Sequence, residues 1–421
     1  MEPQDVVNAR LARYAVTQDA RDLWPEVSVS AFRRAQAEIA RVTAAVLSDV
    51  AGRVPLQLPP NVDARAFGVA ASAGGIGPLL GRWCETGRLV APQPLADMLA
   101  THLDHGRRRP ARMRQELDRL LVALADRAIE VLVLKGTHTG QRYFPEPGTR
   151  PTTDIDLLIA PHDLGAAQNA LRALEFVEDV ATAEPQRSHW APRNVGPVRS
   201  LELAHAENPW SVDLHMSLDR RQFAELTMAF GGVELSAGEV WREFARPVRV
   251  LPQPQLLAYL AFHASSHFYS MTLVRLVELV LVGRRDFAGR PDRWEAFSDL
   301  VRRTRIGRFV FPALALAERL TPGSVDPLVL EELVAAAPPR LRRLVRHVTP
   351  ASAQRLHPYP SGEAFIWLAS LKDVLAFLAY LAWPPVDGAR PSPHQVLSIQ
   401  WQRVRKRLFR LLRTVTKGSS A

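Results

Sequence analysis

Two aspartates separated by a single residue, Asp154 and Asp156, stand at the head of the apolar run in RPTTDIDLLIA. In an extended strand, residues two apart project from one face about 6.6–6.8 Å from each other. The two carboxylates therefore share a face, and Ile155 takes the other. Carboxylates so placed repel one another unless a cation lies between them, and a hard ion such as Mg²⁺ prefers oxygen ligands. A third acid, Asp213, recurs in a similar context, the strand-like SVDLHMSL. If that strand lies beside DIDLLI, Asp213 completes a cluster able to hold two metal ions roughly 3.5–4 Å apart, the spacing used in phosphoryl transfer. The competing reading is a set of solvated strand-end acids, and the D-x-D pair alone does not separate the two.

Other residues near these strands have two readings each. His215 shares a face with Asp213 and either orients a substrate or hydrogen-bonds within the core. His263 and His267, at i and i+4 of an apolar helix, would suit a metal only with a third ligand, and no H-E-x-x-H arrangement accompanies them. That helix is expected to pack behind a substrate pocket. Gly136 closes the apolar run IEVLVLKG as a turn, and Lys135 before it reads as a strand-end lysine facing solvent or substrate. Arg150 either meets an anion or pairs with an acid such as Glu146. Cys84 reads as an ordinary thiol. The glycines at 74, 75 and 77 lack the lysine and hydroxyl residue of a phosphate-cradling loop and read as a turn.

The elements that must position these groups follow from apolar spacing. IEVLVLKG and DIDLLIA read as buried strands, with GTHTGQRYF as a short helix between them and HDLGAAQNALRALEF as a helix after. Following a polar, poorly patterned stretch, VRSLELAH and SVDLHMSL read as two strands paired in a hairpin. A helix is predicted over 111–128, and the residues before 110 and after about 255 are mostly helical. The expected fold is α+β to α/β: a small mixed β-sheet core in residues 111–252, flanked by a helical region in 1–110 and a helical domain in 253–393. Residues 394–421 form a basic amphipathic helix and tail.

Composition narrows the function classes. With 421 residues, 47% of them apolar and 23% charged, the chain is globular and long enough for more than one packed unit. One cysteine excludes an internal disulfide framework and fits a reducing cytoplasm, and the polar start MEPQDVVNARLARY carries no secretory signal. The net charge of +10 is concentrated at one end: seven Lys or Arg and no acid follow Trp401, so the body is nearly balanced. That end, WQRVRKRLFRLLRTV, could lie on its own protein, on an anionic membrane surface or on RNA. Residues 364–383 approach the length of a bilayer span, but Lys372 and Asp373 at the middle favour a largely buried helix of a soluble protein.

Taken in order, VLVLKGTH, the basic turn R-P-T-T, DIDLLI and VDLHMSL resemble the uncharacterised branch of nucleotidyltransferases within the DNA polymerase beta superfamily. That branch typically adds a helix in which histidines precede an R-L-x-x-x-x-D-like segment. AFHASSHFYSMTLVRLVELVLV supplies it here, with Glu278 where an aspartate is expected. The resemblance spans roughly residues 120–286. It implies that Asp154 and Asp156 bind the metals carrying a triphosphate, and that Asp213 shares the catalytic metal and helps activate an acceptor hydroxyl. It also implies that Gly136 lets the backbone approach the nucleotide, with Thr137 retaining a hydroxyl, and that Lys135 and Arg150 neutralise triphosphate charge.

The expected activity is then a Mg²⁺-dependent (or Mn²⁺-dependent) transfer of a nucleoside monophosphate from an NTP to a hydroxyl or phosphate of a small molecule or modified peptide, releasing pyrophosphate. Transfer to RNA, favoured only by the basic C-terminal segment, is the alternative. A non-catalytic nucleotide-binding or adaptor protein is the other, and three mutually repelling acids argue against it.

Overall fold

Alternation of apolar and polar side chains builds the centre of this protein. The computed structural model describes residues 2–17, 19–24, 26–48, 52–179, 186–222, 226–228, 230, 233–266, 268, 270–352, 364–383, 392–394, 396–397 and 401. The N-terminal region holds α1 (Gln4–Thr17), α2 (Val29–Leu47), α3 (Ala64–Ala73), α4 (Gly77–Glu85) and α5 (Gln93–Ala125), with a short parallel pair, β1 (Val54–Pro55) and β2 (Leu89–Val90). Ser28 and Asp63 cap α2 and α3 by accepting the backbone N–H groups of Ala31 and Ala66.

The core then runs β3 (Val131–Val133), α6 (Thr137–Tyr143), β4 (Asp154–Ile159), α7 (Leu164–Ala173), β5 (Phe176–Glu178), β6 (Arg187–Pro192) and β7 (Ser211–His215). A small antiparallel pair follows, β8 (Arg220–Gln222) with β9 (Leu226–Met228), and then β10 (Glu239–Trp241) and β11 (Val248–Val250). Seven strands form one mixed sheet in the order β10-β11-β3-β4-β7-β6-β5, with β4 and β7 parallel neighbours near its centre. The C-terminal region is helical: α8 (Gln255–Ser266), α9 (Leu273–Val282), α10 (Pro291–Thr304), α11 (Gly307–Leu320), α12 (Pro327–Ala336), α13 (Pro339–His347), α14 (Ala364–Trp367) and α15 (Leu371–Ala382). A mixed sheet flanked by helical regions is the architecture expected from the sequence.

The sheet's two faces bury different partners. Ile155, Leu157 and Ile159 of β4 pack with Val133, Val212 and Leu214 against Leu117, Leu120, Leu121 and Leu124 of α5 and against α7. Leu132, Leu134 and Leu158 point the other way, into a core that joins α2 and α3 to α8, α9 and α11. A register slip of one residue would push Asp154 and Asp156 into the first of these cores, so both apolar layers fix which face carries the acids.

Four local expectations are corrected. Residues 198–205 form no strand: Asn208 accepts from the N–H groups of Arg199 and Ser200 and donates to Ser200 O, while Trp24 and Gln4 donate to Leu201 O and Val198 O. Side chains thus satisfy backbone groups that a ladder would have used, and β6, drawn from the stretch that looked unpatterned, pairs with β7 instead. The helix expected over 111–128 is the second half of α5, which runs through Pro110, so residue 110 is not a break between elements. Residues 364–383 are two helices, because Ser370 and Asp373 form a capping box that starts α15 anew. Its Leu371, Leu375 and Leu378 are exposed, at 74%, 58% and 45%, so it is not the largely buried helix expected. Among the described residues, no helix is long and apolar enough to cross a membrane. The basic C-terminal helix expected over 394–421 lies almost wholly outside the described residues.

Candidate active site

Asp156 of β4 and Asp213 of β7 are register partners on adjacent parallel strands, and Asp154 and Ser211 are the partners two positions earlier. Register partners point to the same side of a sheet, so Asp154, Asp156, Asp213 and His215 all project from one face, toward the C-terminal helices. Asp156 and Asp213 are 2% and 0% exposed, whereas the Asp154 side chain retains 31% exposure at the rim. Burying two carboxylates side by side is costly unless cations or N–H donors face them.

The structure supplies such groups on every side. The ammonium of Lys135, two residues beyond β3, contacts Asp156 Oδ2 and lies 3.5 Å from Asp154 Oδ2. His215 Nε2 donates to Asp156 Oδ1 at 3.0 Å. On the neighbouring carboxylate, Arg187 binds Asp213 Oδ2 and His189 Nδ1 donates to Oδ1 at 2.6 Å. Although burial acts to raise the Asp156 pKa, Lys135 and His215 outweigh it and hold the carboxyl well below the usual carboxylate range. Burial likewise opposes the charged form of Lys135, and Asp154 and Asp156 together override it and raise its pKa.

The turn after β3 is held as tightly. Gly136 adopts φ +69° at the start of α6, and a Cβ there would meet Thr152 Cγ2 at 3.0 Å. Glycine is the residue that takes this conformation without strain. Thr137 follows it, and both border a cavity of about 260 Å³ between α5 and α6 that none of the three aspartates lines.

Arg150 has a definite partner. Its Nε and Nη2 donate to the two carboxylate oxygens of Glu278 on α9 at 2.7 and 3.0 Å, with both groups buried. Burial works against its charge, and Glu278 more than offsets this. Glu146, the acid named as its alternative partner, binds Arg107 instead. The bidentate fork of Arg150 is thus spent on α9, where the sequence placed an aspartate-like position.

Of the histidines, His215 joins the acids, and His263 is buried in α8 beside Tyr259, with ring centroids 6.2 Å apart. His267 lies outside the described residues. Cys84 is partly buried, and burial pushes its thiol up to about 11.

Sequence reasoning missed Arg187 and His189, which share a face of β6 while Ser188 and Trp190 take the other. The period-two pattern in RSHWAP was the available signal. It also missed Arg109. This buried guanidinium donates to the carbonyls of Thr152, His205, Asn208 and Pro209 at 2.6–3.2 Å, tying α5 to the segments that lead into β4 and β7. Burial, helped by Arg112, lowers its pKa to about 10.

Asp156, Asp213 and His215 each offer one ligand atom, all within 4.8 Å of one another, and among the described residues they are the group that could hold a metal ion. Two carboxylate oxygens and an imidazole nitrogen are ligands a divalent cation can take. A family model described as an uncharacterised nucleotidyltransferase matches residues 60–322, more than half of the chain. No curated protein and no solved structure matches it.

Proposed function

The chain belongs to the uncharacterised nucleotidyltransferase family, and from that membership we propose that it moves a nucleoside monophosphate from an NTP to a hydroxyl or phosphate of a small molecule or modified peptide, releasing pyrophosphate. The observation that carries this reading is the side-by-side burial of Asp156 and Asp213 on parallel strands with His215 beside them. Such an arrangement costs folding free energy and is understandable as a seat for a cation. Asp156 and Asp213 would hold Mg²⁺ through their oxygens, with His215 orienting Asp156 beside them, and the ion when bound supplies Lewis acidity toward phosphoryl oxygens and a template for in-line displacement.

The rest follows from the chain's own residues. Lys135 is placed to lower the charge of a bound triphosphate, and the half-exposed Asp154 faces the side from which a nucleotide would enter. Gly136 allows backbone to approach the phosphates without a Cβ in the way, and the Thr137 hydroxyl adjoins that approach. Asp213, held in one orientation by Arg187 and His189, is the carboxylate suited to receive the acceptor's proton. Arg150, for which the resemblance implied a triphosphate role and the residues alone also allowed a structural acid partner, is read as a clamp: by locking onto Glu278 it fixes the turn before β4 against α9.

Incubating the protein with each NTP and Mg²⁺, with and without cell extract, tests the reading by pyrophosphate release. Release that requires extract, and that disappears in Asp156→Asn, supports it. An Asp156→Asn variant that folds and retains wild-type release would overturn it.

A further inference from the structure

We propose that this site takes a single divalent ion, with the Lys135 ammonium standing where a second ion would sit between Asp154 and Asp156. The inference rests on the nucleotidyltransferase reading and refines it. A second ion shared by the D-x-D pair would need oxygens from both carboxylates. The ammonium already occupies that position, in contact with Asp156 Oδ2 and 3.5 Å from Asp154 Oδ2.

Lys135 cannot readily withdraw from there. Its side chain is 6% exposed, and Leu134, the residue before it, donates its N–H to the Asp156 carbonyl at 3.1 Å, which pins the backbone of the strand end to β4. Gly136, the residue after it, sits at φ +69° under Thr152. Arg187 and His189, with side chains 33% and 29% exposed, can swing away from Asp213 to admit an ion, whereas Lys135 is enclosed by protein.

The ligand geometry is asymmetric in the same sense. The group able to hold a metal comprises Asp156, Asp213 and His215 and leaves out Asp154. Charge points the same way: Asp154, Asp156 and Asp213 are already faced by Lys135 and Arg187. One added divalent ion leaves the cluster mildly positive, matched to a triphosphate, while two would place a dication against a buried ammonium. A buried cation fixed by the fold does part of the work of a metal without having to be recruited from solution.

Counting bound Mn²⁺ by electron paramagnetic resonance and by calorimetry, with and without a non-hydrolysable α,β-methylene NTP, tests the proposal without measuring turnover. The expected result is one Mn²⁺ per chain in the wild type under both conditions, one in Lys135→Arg, and two in Lys135→Met with the analogue present. Two ions on the wild-type chain would overturn the inference while leaving the nucleotidyltransferase reading intact. No bound Mn²⁺ on a folded wild-type chain, even with the analogue, would overturn both. Because the wild-type count decides on its own, an unstable Lys135→Met variant does not shield the proposal. Asp154→Asn provides a further check: with Asp154 outside the ligand group, it retains one ion, and loss of that ion would count against the assignment.

Discussion

Breaking the Arg150–Glu278 pair decides whether Arg150 is a structural clamp or a phosphate ligand. Its two bonds, 2.7 and 3.0 Å long, join side chains only 9% and 3% exposed. Removing one member of such a pair leaves an uncompensated buried charge, at a cost of about 3–5 kcal/mol. Arg150→Met and Glu278→Leu should each lose that much stability in urea denaturation followed by circular dichroism. The double variant Arg150→Met/Glu278→Leu removes both charges and keeps similar volume, so it should lie within about 2 kcal/mol of wild type. With single losses summing to at least about 6 kcal/mol and a double loss of at most about 2, the double-mutant cycle gives a coupling energy of about 4 kcal/mol or more. Nucleotide affinity, measured on the stable double variant, should fall less than about threefold. Two results would refute the reasoning: an Arg150→Met variant within about 1 kcal/mol of wild type, or a stable double variant with affinity for NTP reduced tenfold or more. Either outcome would return Arg150 to the triphosphate.

Three further outcomes can be checked. Gly136→Ala, forced to φ +69° with its Cβ 3.0 Å from Thr152, should cost about 1–2 kcal/mol and weaken NTP binding in a fluorescence titration. Stability should fall as pH drops from about 6.5 toward 4, because burial, with smaller contributions from neighbouring His105 and Arg142, lowers His102 to about 4 and His138 to about 3. The unfolded chain binds protons in that window and the native chain does not, so the slope is about 1.4 kcal/mol per pH unit per histidine, and His138→Leu should remove roughly one histidine's share. Arg109→Met, which strands four backbone carbonyls, should lose about 3–4 kcal/mol in urea denaturation, while Arg109→Lys, able to reach fewer of them, should recover only part.

The legible parts of the fold were those in which local pattern and tertiary context agree. DIDLLI and VDLH carry strand periodicity with apolar faces, so both strands and the common face of Asp154 and Asp156 could be read directly. Their adjacency, with Asp156 opposite Asp213, is consistent with the register that the apolar layers impose. What escaped was decided elsewhere in the chain. VRSLELAH alternates like a strand, but side-chain bonds from Asn208, Trp24 and Gln4 hold it as a loop. RSHWAP offers only Trp190 as an apolar anchor, yet becomes the strand beside β7 and brings Arg187 and His189 to Asp213. The boundary expected near residue 110 is absent: α5 runs through Pro110 because packing on both sides of the proline outweighs one lost hydrogen bond. The partner of Arg150 lies 128 residues away, beyond the reach of any local signal.

The central claim is that the buried Asp156–Asp213 pair serves nucleotidyl transfer, and the fate of two phosphates tests it directly. With extract as the source of acceptor and Mg²⁺ present, label from [α-³²P]NTP should pass to an acceptor while label from [γ-³²P]NTP leaves as pyrophosphate. Both signals should vanish in a folded Asp213→Asn variant. Transfer of the γ-label to the acceptor, or undiminished α-label transfer by that variant, would contradict the account.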